Sequence, residues 1–491
     1  MASTFSGLGT ALSSLIAQRQ ALTVAGQNIA NSNTVGYTRQ RVDMAAVPGS
    51  QVPSMFSTSD GSGMGVQVTG VSRLSDQFLD AQVRTATGTA SYLAARADAY
   101  TTLETSLGEP STTGLSAQLS TVWADWHDVA NSPDDAAART VLLDDSRQLT
   151  GTLHARYGDL QTQWQQARST TGTLVDQANT LAADVADLNT RILDITNSGG
   201  TANELADQRD QLVTQLSGLV GATARQRPDG TLDVVVGGNM LVSGAHARTL
   251  AVTGPQAFSG ATGDASAVPP VAGQPVRVVW ADAPTQDAAL SGGRVAGLLT
   301  VLAPPDATGT GGMLTEAAAS LDKVAVALAT GLNGSDGVNG LHSTALRLDG
   351  TPGGDFFTLP SSGSAAAGIT VALTSTDQVA VAAPGQGALD GSVGQSIAAL
   401  ADSPTGPGAV WTAAVAQIGT QSASASSRST VAEASRASAE TAQQSGASVD
   451  TDQETVSMLA YQRAYQGAAR VLTAIDEMLD TLINRTGTVG R

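Results

Sequence analysis

The chain has 491 residues, a length that predicts about three domains at roughly 100 to 200 residues each and excludes a small stapled module. Its 25 Lys plus Arg stand against 43 Asp plus Glu, a formal charge of -18, and Lys323 is the one lysine, so no basic stripe exists to hold a phosphate backbone and nucleic acid is excluded as a partner. Cys is absent, which removes disulfides, thiolate metal sites and Cys nucleophiles, and the 3% aromatic content favours long helices and thin layers over a thick globule.

Residues Phe5, Leu8, Leu12, Leu15, Leu22 and Ile29 follow steps of three and four and predict one amphipathic helix, ended by Asn31, Ser32, Asn33 and Gly36. No run reaches the roughly 18 apolar residues of a membrane span, so membrane insertion is not expected. The first basic residue is Arg19, and Ser13, Ser14 and Gln18 break the apolar run, so no cleaved leader is expected either. Gly61, Gly63 and Gly65 form a GxGxG run, but GVQVTGV after it reads as a strand rather than the helix start that a phosphate loop requires.

Ser132 as a capping hydroxyl, Pro133 at the first helical position and Asp134 with Asp135 on the positive end of the dipole predict a long helix to about Thr196. Gly151, Gly158 and Gly172 are points where it could bend or break. Gly199 and Gly200 stop it, Thr201 with Glu204 reads as a capping box, and Leu205, Leu212, Leu216 and Leu219 make a return helix up to Gly221. An antiparallel helical hairpin follows from this.

From Asp229 the period changes to two. TLDVVV (231–236), a Gly237-Gly238-Asn239 turn and MLVS (240–243) predict a β-hairpin, with further strands at 248–252, 276–280 and 369–373 and a helix over about 313–332. Residues 419–448, rich in Ala, Ser, Thr and Gln, read as a weakly amphipathic helix or a flexible link. Met458, Tyr461, Tyr465, Ala468, Leu472, Ile475, Leu479 and Leu482 then repeat the three-four spacing of the other end. Ordering a residue costs roughly 1 to 2 kcal/mol and a buried Leu or Ile returns about 1.5 to 3, so these two stripes are marginal alone and are expected to complete their burial against neighbouring subunits.

Chemistry is sparse. His127, His154, His246 and His342 are scattered, with no HExxH or HxH pair, and no Walker loop, GxSxG elbow or EF-hand loop occurs. The acid pairs Asp134/Asp135 and Asp144/Asp145 read as helix-start or surface charge. No catalytic, cofactor or metal residue is expected.

Three segments carry a family resemblance: GQNIANSNTVGYTRQ within 6–42, NELADQRDQLVTQLSGLVGATARQRPDGTLDVVVGGNMLVSG (203–244), and SVDTDQETVSMLAYQRAYQGAARVLTAIDEMLDTLIN (448–484). The first and third resemble the terminal signatures of the bacterial flagellar rod, hook and hook-associated axial proteins. The second is similar to the internal helix-then-hairpin segment of the hook-associated branch and separates it from hook and rod proteins. Weaker likeness lies at 61–84, at GGRVAGLL (292–299) and around Phe356 and Phe357, while GLNGSDGVNG departs from the usual pattern and the β insert is short.

The resemblance implies a structural, non-enzymatic protein at the hook–filament junction, exported without a cleaved signal through the flagellar type III pathway to an extracellular place in the flagellum. It implies a ring-forming homo-oligomer that meets hook protein, a second hook-associated junction protein and a dedicated export chaperone, and it brings no cofactor. The fold implied is mainly α with a β-rich insert, discontinuous and multidomain: residues 1–40 and 448–491 as paired, coiled-coil-like inner helices, 41–224 and 301–447 as a helical bundle body with irregular and β segments, and 225–300 as an outer β domain. Phe5, Leu8, Leu12, Leu15, Leu22, Ile29, Tyr461, Tyr465, Leu472, Ile475, Leu479 and Leu482 are the expected assembly interface. Competing readings are another axial component of hook or rod type, an exported enzyme carried on an axial scaffold, which would need an acid, His or metal constellation within 225–395, and an exported helical adhesin or effector, which would not need both terminal stripes.

Overall fold

The computed structural model describes residues 4–48, 63–267, 269–306, 308–335 and 338–485, with backbone alone for Thr4, Phe5, Ser335, Val338, Asn339, Asn484 and Arg485. Gly61 and the first two residues of the 61–84 segment lie outside these residues.

Helix α1 (Thr4–Ala30) runs into the Asn31–Gly36 turn and then β1 (Gln40–Ala46), which pairs antiparallel with β2 (Val66–Arg73) across a bulge after Asp43. The segment after Gly65 is the strand that its alternation suggests, and no helix follows the glycines. Helix α2 (Gln77–Leu107) is capped by the Asp76 carboxylate, which accepts from the amides of Phe78 and Leu79, and is closed by Gly108 at φ 62°. Periodicity does not single out α2, because its Thr85–Ser91 stretch is rich in weak helix formers; packing supplies what propensity lacks.

Helix α3 (Leu115–Asn131) precedes α4 (Ala136–Asn197), an unbroken helix of 62 residues, about 93 Å long at 1.5 Å per residue. The cap of α4 differs from the expected one. Ser132 closes α3, Pro133 and Asp134 sit in a turn, and Asp135 is the cap, its carboxylate accepting from Ala137 N at 2.8 Å. The Ser132 carbonyl is used by Asp135 N at 3.1 Å, so the turn consumes the residues that the sequence pattern assigns to the helix start. Gly151, Gly158 and Gly172 leave α4 intact because buried residues from Leu142 to Ile192 hold it on both sides of each glycine. Helix α5 (Asn203–Val220) returns antiparallel; Ala202 precedes it without a side-chain cap, and Glu204 accepts from Gln40 instead of closing a capping box with Thr201.

Strands β3 (Thr223–Gln226), β4 (Leu232–Val236), β5 (Asn239–Ser243) and β6 (His246–Ala247) form an antiparallel sheet in that order. Gly237 and Gly238 take φ 54° and 81°, the two positive angles that a tight two-residue hairpin turn demands. Strand β7 (Leu250–Thr253), helix α6 (Phe258–Thr262) and the short pair β8 (Gly263–Asp264) and β9 (Val271–Ala272) follow, then β10 (Arg277–Trp280) and β11 (Ala283–Asp287) complete a three-stranded sheet ordered β11-β10-β7. Helices α7 (Gly293–Val301) and α8 (Met313–Asn333) return to the helical body. Beyond them come β12 (Gly334–Ser335), β13 (Val338–Asn339), α9 (Leu341–Thr344), β14 (Phe357–Thr358), α10 (Ala365–Gly368), β15 (Thr370–Val371) and α11 (Ser392–Ala398). The expected strand at 369–373 is thus only the two residues of β15, paired with β14 and apart from the 223–287 sheets, because Ile369 is drawn into the helical core.

Helix α12 (Pro407–Ala447) turns the Ala/Ser-rich 419–448 segment into helix, and α13 (Thr451–Asp480) ends the described chain with one π turn over 481–485. α12 runs antiparallel to α2, with Gln443 donating to Asp80, Tyr100 to Gln421 and Ser422 to Glu104 at 2.6, 3.0 and 2.7 Å; its small side chains permit that close approach.

Two hydrophobic cores lie along α4. The first gathers Trp126, Trp164, Trp411, Phe258, Phe356 and Phe357 between α2, α3, α4, α8 and α12, and the second gathers Val213, Leu216, Val234, Leu241 and Trp280 between the far half of α4, α5, α7 and the sheets. Gly88, Gly221, Gly292 and Gly293 let α2, the end of α5 and the start of α7 meet backbone to backbone. A Cβ on Gly293, at φ +79°, would stand 2.5 Å from Gly221 N and 2.6 Å from Leu219 O.

Candidate assembly interface

Helices α1 and α13 pair antiparallel. Gly7 faces Ile475, where a Cβ would sit 3.3 Å from Ile475 Cδ1, and Ala21, Val24, Ala25 and Asn28 face Glu454, Ser457 and Tyr461. Small residues dominate the buried surface of α1: Ala11, Ala17, Ala21, Val24, Ala25 and Asn28 are buried, between α13 on one side and the β1–β2 hairpin on the other, where Val66 N donates to Ser13 Oγ at 3.3 Å. The expected Leu stripe lies beside the seam. Leu8, Leu15, Leu22 and Ile29 are half-buried, Leu12 is 50% exposed, and Phe5 lies on the helix with its side chain outside those described. On α13, Ile475 is 7% exposed, Tyr461, Leu472 and Leu479 are half-buried, and Tyr465 and Leu482 are exposed. Small residues win the seam because they let two backbones approach closely, and the larger side chains are displaced to its margins.

Apolar surface therefore remains on the pair. Ile16 and Leu12 on α1, and Val456, Leu459, Val471, Met478 and Leu482 on or just past α13, are exposed. Strung along one helix pair, these side chains make a continuous apolar strip rather than scattered surface residues.

A polar joint ties this pair to the body, and sequence reasoning missed it. Asn28, 1% exposed, holds the start of β1: its Nδ2 donates to Gln40 O at 2.9 Å, and its Oδ1 accepts from Gln40 N at 3.0 Å and from the Tyr37 hydroxyl at 2.9 Å. Burial, with the nearby Glu204, Asp207 and Glu454 carboxylates, pushes Tyr37 up to about 12, so the phenol stays a donor. Arg39 Nε pairs with Glu454 at 2.6 Å and its Nη1 donates to Gln453 at 2.7 Å, joining the amino-terminal turn to the first turn of α13, which Asp450 caps. Thr38 N donates to Asp207 at 3.1 Å, Arg73 Nη1 pairs with Asp207 at 2.7 Å, and Arg73 and Arg84 meet Asp210 at 3.0 and 3.2 Å. Burial pushes the Asp207 carboxyl up and the donors of Arg73 and Thr38 hold part of that back, while Asp210 and Asp207 hold the Arg73 guanidinium above its usual range despite burial; the 2.7 Å contact is that of an ionised pair. Gln40 Nε2 donates to Glu204 at 3.1 Å, and Asn203 donates to the Gln40 side chain at 3.2 Å and to Val71 O at 2.9 Å. The one available signal was the polar density of the 26–40 segment, which marks a turn that must be satisfied by distant partners.

The histidines have structural settings. His342 is fully buried, its Nδ1 donating to Gly354 O at 2.7 Å and its Nε2 accepting from Ala380 N at 3.0 Å, and burial pushes its pKa down to about 4. His154 meets Ile369 O at 2.8 Å, and His127 and His246 are exposed. Among the described residues no group of three or more His, Asp or Glu is arranged to hold a metal, and no helix is long and apolar enough to cross a membrane. Asp145 is more than surface charge: it faces Asp125, which is 9% exposed, and burial together with Asp145 pushes Asp125 up to about 7.

Comparison with known proteins places these features in one context. The model of the flagellar hook-associated protein FlgK helical domain matches residues 100–357, that of the flagellar basal body rod FlgEFG protein C-terminal region matches 443–485, and that of the flagella basal body rod protein matches 8–38. Flagellar hook-associated protein 1 of Bacillus subtilis is 28% identical over 534 aligned residues, covering 100% of both chains. Its Salmonella typhimurium counterpart is 30% identical over 375, covering 74% of this chain and 62% of its own. Among solved structures, the flagellar hook junction protein FlgK from Burkholderia pseudomallei superposes with a TM-score of 0.62 at 16% identity, covering 74% of this chain and 99% of that one, which establishes the likeness of fold.

Proposed function

We propose an assembly function for this chain, which belongs to the flagellar hook-associated protein FlgK family: it is a structural component of the bacterial flagellum at the junction between hook and filament. It works by self-assembly through the paired terminal helices, which form an inner layer, with the helical body and then the 225–300 β segment farther out. The observation that carries this reading is the apolar surface left on α1 and α13, where Leu12, Ile16, Val456, Leu459, Val471 and Met478 are each about half or more exposed. A neighbouring copy that buries the exposed part gains roughly half of the about 1.5 to 3 kcal/mol that full burial of a large side chain returns, and summed over the patch this turns a marginal helix pair into a stable layer. Export without a cleaved leader, hook protein below, a second hook-associated protein above, and a dedicated chaperone before assembly complete the proposal, which assigns no enzymatic activity. The match of 100–357 to a FlgK helical domain favours this reading over a hook or rod component.

Purified chain should add to the distal end of isolated hooks and then support filament growth, seen by electron microscopy. The variant Leu12→Asp with Val471→Asp should fold yet fail to add. A wild-type chain that does not decorate hooks would sink the reading.

A further inference from the structure

Neither hydrophobic core contains a residue of α1, of the β1–β2 hairpin or of α13. Among the described residues, the side-chain contacts that hold these elements against the body gather on one edge of α5, beside the chain connections at 74–76 and 448–450 and one backbone bond from Arg39 N to Ala447 O of α12 at 2.9 Å. Gln40 and Asn203 meet around Glu204, Thr38 and Arg73 converge on Asp207, and Arg73 reaches Asp210, which Arg84 of α2 also engages. Three stretches remote in sequence, 38–40, 73 and 204–210, therefore meet through charge-assisted hydrogen bonds, which are directional where apolar contact is not. These contacts are shielded: the side chains of Arg73 and Asp207 are 15% and 8% exposed, so salt screens them less than it would a surface pair.

We propose that the acidic edge of α5, Glu204, Asp207 and Asp210, is the positioning element that sets the direction in which the terminal helix pair leaves the body. The inference rests on the assembly reading above, because a subunit whose inner helices point along a varying direction cannot present its seam and its body to the same neighbour. Arg39 and Glu454 keep the two terminal segments together at 2.6 Å, so the pair turns as one unit when the α5 contacts are cut.

The chain has no Cys, so two introduced cysteines can be labelled cleanly. Gln215 on α5 and Gln466 on α13 are exposed and take spin labels in the full-length protein, and pulsed electron resonance then reads the distance between them. Of the five tryptophans, Trp123, Trp126, Trp164 and Trp411 lie in the helical body and Trp280 in the β segment, so none is on the terminal pair and together they report melting of the rest separately. A single narrow distance population is expected for the parent chain. Asp207→Asn with Asp210→Asn should broaden it about twofold or more while the tryptophan melt stays in place. Arg73→Gln, which touches neither core, should broaden it to the same extent. Because both changes cut the Arg73 contacts to Asp207 and Asp210, the combined variant should be clearly less broad than the two effects added, a coupling that unrelated structural damage would not produce. An unchanged distribution in Arg73→Gln, a broad one in the parent, or additive broadening in the combined variant would overturn the proposal. None of these readouts needs a hook, so a parent chain that keeps a narrow distribution yet fails to add to hooks would count against the assembly function alone.

Discussion

Substituting Ala21 by Leu tests which face of α1 forms the seam. Ala21 is 2% exposed and opposes Ser457 and Tyr461 of α13, so the larger side chain must force the helices apart or leave its rotamer well, costing about 1 to 3 kcal/mol. That is comparable with what the pair can be worth, since Glu454 and Ile475 are the buried residues of α13. By contrast Leu12, half exposed, loses little on replacement by Ala. Hydrogen exchange read on peptides from α1 and α13, with tryptophan emission following the body, separates local from global opening. Ala21→Leu should speed exchange of both terminal peptides, about tenfold for each 1.4 kcal/mol, with the body's melting unchanged. Leu12→Ala should leave exchange almost as it was and weaken addition to hooks. The reverse ranking, protection lost in Leu12→Ala and kept in Ala21→Leu, would show that the Leu stripe is the seam and refute the small-residue packing argued above.

At the glycine meeting point, Gly293→Ala should cost about 3 kcal/mol or more in urea denaturation, since positive φ and backbone clash combine, whereas Gly172→Ala, with open space around it, should stabilise by up to about 1 kcal/mol; equal effects would contradict the backbone contact. His342 has a folded pKa of about 4 against 6.5 for the free side chain, so its contribution is complete above pH 6.5 and is lost as the pH falls toward 4. His342→Gln, less stable than the parent at pH 7.5, should close part of that gap as the pH falls from 6.5 to 5, while Asp125 acts alike in both chains and cancels from the difference; parallel curves would dismiss the argument. Asp125 has its pKa raised from 3.8 to about 7, so its protonated form supports the fold at low pH and that support is lost as the pH rises through 7. Asp125→Asn should raise the melting temperature more at pH 8 than at pH 5, and an equal change at both would disprove the buried acid pair.

The sequence by itself determined the local elements whose pattern is repeated often enough to be unambiguous. The stripes at both ends, the run from Leu174 to Ile195 and the alternation around 231–243 each keep one consistent period, so α1, α13, α4 and the β4–β5 hairpin follow from periodicity. The family resemblance was likewise carried by contiguous segments. Helices α2 and α12 were less legible, because Thr, Ser, Gly and Ala encode little pattern and become helical by packing on one another.

Only the tertiary structure decided which residues of the terminal helices touch. Periodicity marks an apolar face, but the seam goes to whichever face allows the shortest distance between backbones, and on α1 that face carries Gly7, Ala21 and Ala25, with the leucines beside it. The joint of Arg39, Arg73, Asp207, Asp210 and Glu454 was equally hidden, since an isolated charge reads as solvated surface until the fold removes its water and supplies a partner 134 to 415 positions away. Asp135 in place of Ser132 as a cap, and Asp145 turned toward Asp125, have the same origin: short polar side chains have several local uses, and the geometry of the neighbouring element selects one.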